Sequence, residues 1–256
     1  MKMFYFSATG NSKYITEMFC KRMNAECHPV ECYSIEEDID FGRLIASEDV
    51  IAFCYPIYGS RVPRIMREFA EKHMGFLKNK KVIIFCTQML FSGDGARAFV
   101  DSFPRDYFNV IYAEHFLMPN NVCNLFFIPL ANEKQTKKYL MKAERKMNSV
   151  CEDIKTGIVK KRGFNLISRV LGLQQGVFMP AFEKLTRGSV RINSECTQCG
   201  LCVSICPMKN LKSESGKITQ KNNCLICYRC VNKCPEKAIT VFPHGKVKKQ
   251  YKGLEL

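Results

Sequence analysis

At 256 residues and 46% apolar content, the chain is long enough for two domains and apolar enough for the first to bury a proper core. No stretch reaches the ~18 apolar residues of a membrane-spanning helix. Residues 1–6 run straight into a strand pattern, so no targeting segment is expected, and fifteen cysteines then point to a reducing, cytoplasmic setting rather than a disulfide framework.

The formal charge is +15, from 39 Lys and Arg against 24 Asp and Glu, which opens nucleic-acid binding as one reading. In chain order, residues 2–6 are short, apolar and β-leaning. They give way to Ser7-Ala8-Thr9-Gly10-Asn11-Ser12-Lys13, after which Tyr14, Ile15, Met18 and Phe19 recur at helical spacing. Strand, hydroxyl-rich loop and helix make a phosphate cradle: backbone N–H groups, hydroxyls and the positive helix terminus converge on an oxyanion. An ordinary capped helix start is the plainer alternative. Residues 27–33 suit a second strand. Residues 50–54 read as a buried parallel strand ending in Tyr55-Pro56-Ile57-Tyr58-Gly59-Ser60, with a helix over 64–73. Residues 81–86 repeat the pattern, ending in Thr87-Gln88-Met89-Leu90-Phe91-Ser92-Gly93-Asp94-Gly95 before a helix over 96–103. A strand over 108–115 and a long helix over 133–156 complete a five-strand α/β pattern. Such strand ends lie side by side at the switch point of a doubly wound sheet, where ligands bind, which weighs against the plain capped helix. Neither G-x-G-x-x-G after the first strand nor a P-loop occurs.

Over about residues 1–155 this pattern resembles flavodoxin. The resemblance implies a doubly wound parallel five-stranded sheet that binds FMN. Ser7, Thr9, Gly10, Asn11 and Ser12 would hold the phosphate. The isoalloxazine would lie between the loops at 56–60 and 87–95, against Pro56, Tyr58 and Gly59 on one side and Thr87, Gln88, Gly93 and Asp94 on the other. Ser12 stands where Thr is commoner. The chain has no Trp, so Tyr58 is the candidate for stacking on one face. Gly59 sits where a backbone flip would supply an N–H to flavin N5. The third loop is longer than the short glycine–aspartate form of the family.

Residues 116–190 are the least legible. The segment 116–132 is uncharged but broken by Pro119 and Pro129; it fits core packing, a cover over the flavin, or a seat for the C-terminal part of the chain. Residues 133–162 hold ten Lys and Arg against four acids. They read as the solvated face of a helix, or as a docking patch for an acidic redox partner or anionic lipid. In 164–186, Phe164, Ile167 and Leu171 begin a helical spacing that points to an internal interface rather than to membrane contact.

Then comes Cys196-x-x-Cys199-x-x-Cys202-x-x-x-Cys206-Pro207, repeated 28 residues on as Cys224-x-x-Cys227-x-x-Cys230-x-x-x-Cys234-Pro235. Three cysteines at this spacing wrap one cubane cluster, and the fourth ligates the other cluster. Cys196, Cys199, Cys202 and Cys234 are thus expected on one [4Fe-4S] centre, and Cys224, Cys227, Cys230 and Cys206 on the second. A zinc ribbon also uses C-x-x-C pairs, but gives no reason for the third cysteine or the following Pro. The stretch resembles a bacterial two-cluster ferredoxin over about residues 188–243, a small α+β domain. One local departure is that Gly200 follows Cys199 whereas Tyr228 follows Cys227. Two clusters and a flavin phosphate would lower the net charge to roughly +9, which weakens the nucleic-acid reading. The other seven cysteines show no ligand spacing, and none of the four histidines is assigned a catalytic role.

As a whole the chain resembles the fused flavodoxin–ferredoxin proteins, or ferrodoxins. The resemblance implies a flavodoxin-like domain at 1–160, a connector at 161–187, a two-cluster domain at 188–243 and a loose basic tail at 244–256. It implies electron transfer between two [4Fe-4S] clusters and FMN in anaerobic metabolism, with redox proteins, acidic ones included, as partners, no nucleic acid, and a dimer left open. The alternatives are an FMN-dependent reductase of a small molecule, its pocket built from 87–95 and 117–130, and a basic non-redox module with structural metal.

Overall fold

The computed structural model describes residues 1–59, 61–90, 93–125 and 127–254. Ser60, Phe91, Ser92, Phe126 and the final two positions lie outside them, and with them parts of the loops at 56–60 and 87–95. The first half alternates strand and helix: β1 (Lys2–Tyr5), α1 (Asn11–Ala25), β2 (Glu31–Ser34), α2 (Phe41–Ala46), β3 (Val50–Pro56), α3 (Arg64–Lys72), α4 (Met74–Leu77), β4 (Lys81–Gln88), α5 (Gly95–Val100), β5 (Asn109–Leu117) and α6 (Glu133–Lys155). The strands form one parallel sheet in the order β2-β1-β3-β4-β5, extended by a short sixth strand, β6 (Lys160–Lys161). The expected five therefore become six. β6 pairs with Tyr112 and Ala113 of β5, and its two lysines carry no apolar signal for a strand.

Both faces of the sheet are covered, so β3 and β4 are apolar without alternation. Neighbouring residues still point to opposite sides. Met3, Ala52, Cys54 and Phe85 pack with α1 and α6, whereas Phe4, Phe53 and Ile84 pack with α2, α3 and α5. Phe4 meets the rings of Tyr33, Phe41, Phe53 and Phe69, and truncating such a residue to Ala costs about 3–5 kcal/mol. A capping box of Asn132 and Gln135 starts α6, which buries Ala143, Met147, Val150 and Cys151. Lys134, Lys137, Lys138, Lys142 and Arg145 are left exposed on its outer side, the solvated face of a helix.

Two further helices, α7 (Leu166–Gly176) and α8 (Met179–Thr186), lead to a small second module: β7 (Arg191–Ile192), α9 (Leu201–Ser204), β8 (Leu211–Glu214), β9 (Lys217–Gln220), α10 (Arg229–Lys233) and β10 (Ile239–Thr240). The 28-residue repeat is written into its backbone. Left-handed φ values recur in pairs: Gln198 and Ile226 at 58° and 52°, Gly200 and Tyr228 at 74° and 62°, Lys209 and Lys237 at 47° and 52°. Strand pairing follows the same pseudo-symmetry, with Ile192 opposite Ile239 and Leu211 opposite Gln220. The local difference expected at Tyr228 is thus one of side chain, not of backbone.

Residues 250–254 are not a loose end. Gln250 donates to the carbonyls of Val231 and Cys234 (2.9 and 2.6 Å), and Tyr251 is buried with its N–H on Asn232. Among the described residues no helix is long and apolar enough to cross a membrane.

Candidate functional site

The carboxyl ends of β1, β3 and β4 open on one cavity of about 300 Å³. Ser7, Thr9, Asn11 and Ser12 line it from the first loop, Pro56, Tyr58 and Gly59 from the second, and Thr87 and Gln88 from the third. Gly10, the N-cap of α1, adopts φ 105°, which only glycine tolerates easily, and gives the helix no side-chain cap. The first helical bond runs from the Tyr14 N–H to the Gly10 carbonyl at 2.9 Å. The N–H groups of Asn11, Ser12 and Lys13 therefore precede the ladder, at the positive end of a 15-residue helix.

The side chains of this loop hold one another in place. The Gly10 N–H donates to Ser7 Oγ (3.2 Å), Ser12 Oγ meets Thr87 Oγ1 (2.8 Å), and Asn121 Nδ2 donates to Thr9 Oγ1 (2.9 Å). Asn11 is used at both ends: its Nδ2 donates to the Pro119 carbonyl (2.9 Å), and its Oδ1 accepts from Tyr251 (2.5 Å). Among the described residues, two buried polar atoms of the lining have no protein partner, Tyr58 Oη and Gln88 Oε1. Burial, then the neighbouring Cys227, pushes the Tyr58 phenol well above its ordinary pKa, so it is a neutral donor. Tyr58 and Arg61 close a tight turn by mutual backbone bonds of 3.1 Å, with Gly59 at φ 54°. A Cβ on Gly59 would run into Met179 Sδ. A phosphate-sized anion at the helix start and a flat polar ring system against Tyr58 and Gln88 fit these residues.

Two expected members are elsewhere. Gly93 and Asp94 do not line this cavity; Gly93 packs against Ser168 and Gly172 of α7. Asp94 is buried, ion-pairs with Arg97 at 3.1 Å and borders a second cavity with Arg61 and Arg67. Gly93 and Asp94 are drawn toward α7, a helix whose position was not legible in sequence.

Further walls come from outside the three loops, the first of them from the segment read above as a possible cover over the flavin. Pro119, Asn120, Asn121 and Val122 come from the uncharged segment after β5, Met179 from α8, and Leu225, Ile226 and Tyr228 from the second cysteine run. Asn120 is buried and fixes its own loop through the Val122 N–H (2.8 Å) and the Val122 carbonyl (3.1 Å). Tyr228 keeps a left-handed backbone where glycine would be at ease. Its hydroxyl bonds to Asn124 Oδ1 (2.8 Å) and the Phe242 carbonyl (2.7 Å), which offsets that strain.

The cysteines gather in two groups. Cys196, Cys199, Cys202 and Cys234 ring one small cavity, and Cys206, Cys224, Cys227 and Cys230 ring another. Among the described residues no three His, Cys, Asp or Glu converge on a single ion. A ring of thiols around a volume suits a cubane, in which each thiolate binds a different iron. Cys199 is exposed in the first group, whereas Cys224 and Cys227 are buried in the second. Cys227 and Leu225 belong to the same apolar cluster as Phe53 of β3, Phe6 just after β1 and Val62 just before α3.

Arg229 bolts the two modules together. Its Nε donates to the Ala8 carbonyl (2.9 Å), its Nη2 to Ser7 (2.8 Å), and its Nη1 to Ile205 (2.9 Å). Both terminal nitrogens also meet the Glu36 carboxylate at 2.6 Å.

A family profile described as "Flavodoxin domain" matches residues 2–126, and one described as "4Fe-4S dicluster domain" matches residues 194–239. No curated protein matches the chain. Solved structures similar to it include two-electron reduced Megasphaera elsdenii flavodoxin, with 22% identity, 56% of this chain and 98% of that one covered, and a TM-score of 0.39. Another is oxidised Flavodoxin 2 from Bacillus cereus, with 18% identity, 59% and 97% covered, and a TM-score of 0.42. The chain is thus an N-terminal flavodoxin domain fused to a C-terminal 4Fe-4S dicluster domain, an iron–sulfur flavoprotein whose cofactors are FMN and two [4Fe-4S] clusters.

Proposed function

We propose that the protein passes electrons within one chain, in the order partner, outer cluster, inner cluster, FMN, or the reverse. The observation that carries this reading is the shared cavity: Leu225, Ile226 and Tyr228 of the cysteine run stand in the same walls as Ser7, Thr9, Asn11 and Ser12. Cys206, Cys224, Cys227 and Cys230 would hold the inner cluster, and Cys196, Cys199, Cys202 and Cys234 the outer one. The exposed Cys199 marks where a redox partner docks.

FMN supplies a site that takes one or two electrons, matched to clusters that pass one each. The protein's part is position and dielectric. The start of α1 and the hydroxyl of Ser12 bind the phosphate, and Tyr58 donates, while Gln88 accepts, at the ring. Met179 and Tyr228 keep bulk water out, and Arg229 fixes the distance between the two modules. A reducing, cytoplasmic and anaerobic setting suits fifteen cysteines, eight of them committed to clusters.

The test is anaerobic purification with iron, sulfide and FMN analysis, followed by rapid mixing with a substoichiometric reductant. About eight irons, eight sulfides and one FMN per chain are expected. Redistribution of electrons between clusters and flavin should proceed at a rate independent of protein concentration. A rate that rises in proportion to concentration would make the transfer intermolecular and overturn the proposed order.

A further inference from the structure

The helix α7 is built inside out. Its inward stripe is Ser168, Gly172 and Gly176, spaced by four residues and so stacked on one face. A Cβ on Gly93 would lie 3.0 Å from the Ser168 carbonyl oxygen and 2.7 Å from the Gly172 nitrogen. Gly176 offers its carbonyl to Arg61, whose Nε and Nη2 donate at 3.2 and 2.9 Å. Small residues thus bring the helix down onto the flavodoxin domain. The opposite face carries Leu166, Val170, Leu173 and Val177, at steps of four, three and four, with Ile167 beside them. Leu166 and Ile167 are 73% and 74% exposed, Val177 is 61%, and Phe178, the next residue, is 77%. A surface helix on a soluble domain normally has these two faces the other way round. The internal interface expected for this segment is made by Phe164 against the core, by the small-residue face of α7 and by Phe182 against Phe242, while Ile167 and the aliphatic stripe stay outside it.

Charge identifies what covers them. Residues 154–182 contain no Asp or Glu. Lys155, Lys160 and Arg162 pair with Glu26, Glu152, Asp153 and Glu114, which leaves Lys161 and Arg169 as the cations of this stretch with no ion pair among the described residues. Arg169 stands exposed at the edge of the apolar stripe, and Lys184 is exposed on α8. A second copy of the chain would bring two basic rims together. Protein interfaces centre on Tyr, Trp, Phe, Met and Arg anchors, whereas this stripe is five aliphatic residues with a single Phe at its end and a single Arg at its edge. An amphipathic helix with an aliphatic face and a cationic edge is the composition of an element that lies in the plane of a membrane surface. At 11 residues α7 is far too short to span one.

We propose that α7, with Phe178, docks the protein onto an anionic lipid surface. The stripe enters the headgroup–acyl boundary, and the exposed Arg169, Lys161 and Lys184 pair with the headgroup charges. The docked face adjoins the cavity, because Phe178 is followed by Met179, one of its walls.

The test is flotation of the cofactor-loaded full chain with vesicles of phosphatidylcholine, alone or mixed with phosphatidylglycerol. Binding is expected to the mixed vesicles and to weaken with salt. The paired variant Leu166→Ser, Phe178→Ser should bind about tenfold or more weakly while keeping its iron and FMN content. Arg169→Ser should weaken binding about fivefold. It reports on the same face should the paired variant lose its cofactors. Three results overturn the proposal: no binding to the mixed vesicles, equal binding to neutral ones, or a dimer in sedimentation that the paired variant abolishes while vesicles are ignored. Capture of an acidic protein through this face with no vesicle binding overturns it too.

Discussion

Arg229 donates to the main-chain carbonyl of Ser7 at 2.8 Å, across 222 positions of sequence. The donor adjoins Cys230, and the acceptor opens the loop proposed to bind phosphate. One guanidinium therefore sets how near the inner thiols come to the flavin cavity.

Replacing Arg229 by Ala removes charge-assisted bonds to Glu36 and three main-chain acceptors. The expected cost is about 2–4 kcal/mol in unfolding free energy, with weaker FMN retention. Arg229→Lys should recover only part of it, because an ammonium cannot copy the planar fork. Denaturant titration and FMN dissociation by fluorescence check both.

Tyr58→Phe separates ligand from scaffold. The hydroxyl has no protein partner, so the flavin-free protein should be as stable as the parent or slightly more so. FMN affinity should fall about fivefold, the worth of one hydrogen bond. Unchanged affinity would rule out the Tyr58 hydroxyl as a donor to the ring system.

Gly59→Ala should be worse than Gly157→Ala. Both positions have left-handed φ values, 54° and 73°, so each change costs about 1 kcal/mol of backbone strain. Only Gly59 would also drive a methyl group into Met179, whereas Gly157 has nothing nearby. The excess loss at Gly59, read as melting temperature and FMN content, measures the Met179 contact.

Stability should fall with acid through His115. Burial first, then the Arg162 charge, lowers its pKa from 6.5 to about 4, and Nε2 accepts from the Ala96 N–H at 3.4 Å. The unfolded chain gains a proton here below pH 6.5 that the folded chain refuses until about pH 4. Stability is therefore flat above this window and declines within it, by about 3 kcal/mol at most. His115→Gln should flatten the slope relative to the parent; contributions from cluster ligands are common to both and cancel.

Cys206→Ser and Cys234→Ser should each leave about four irons but differ in wiring. The first removes the inner cluster and isolates the flavin from the remaining one. The second removes the outer cluster and leaves inner exchange with FMN intact. Anaerobic rapid mixing distinguishes them. Equal flavin reduction kinetics in both variants would remove the distinction between inner and outer.

What the sequence made legible was local. Strand–loop–helix periodicity located Ser7, Thr9, Asn11 and Ser12, and the thiol spacing anticipated both cysteine groups, because few backbone paths satisfy either pattern. What stayed hidden is long-range. Met179 and Asn121 reach the cavity from segments with no motif of their own, and the cysteine spacing around Arg229 does not say that its side chain reaches Ser7 and Ala8. Gly93 and Asp94 look like cavity residues until α7 takes them. β6 is two lysines, and α7 has a helical period but shows its apolar side to water, which periodicity alone does not reveal.

Tyr251 bonds Asn11, and a Cβ on Gly253 would lie 2.9 Å from the Thr9 carbonyl. The phosphate loop is made early in synthesis, while the residues that brace it are made some 240 positions later. A nascent flavodoxin domain thus emerges with this brace missing. The Asn11 side chain is held in place only once the chain's last residues have folded back over the first loop.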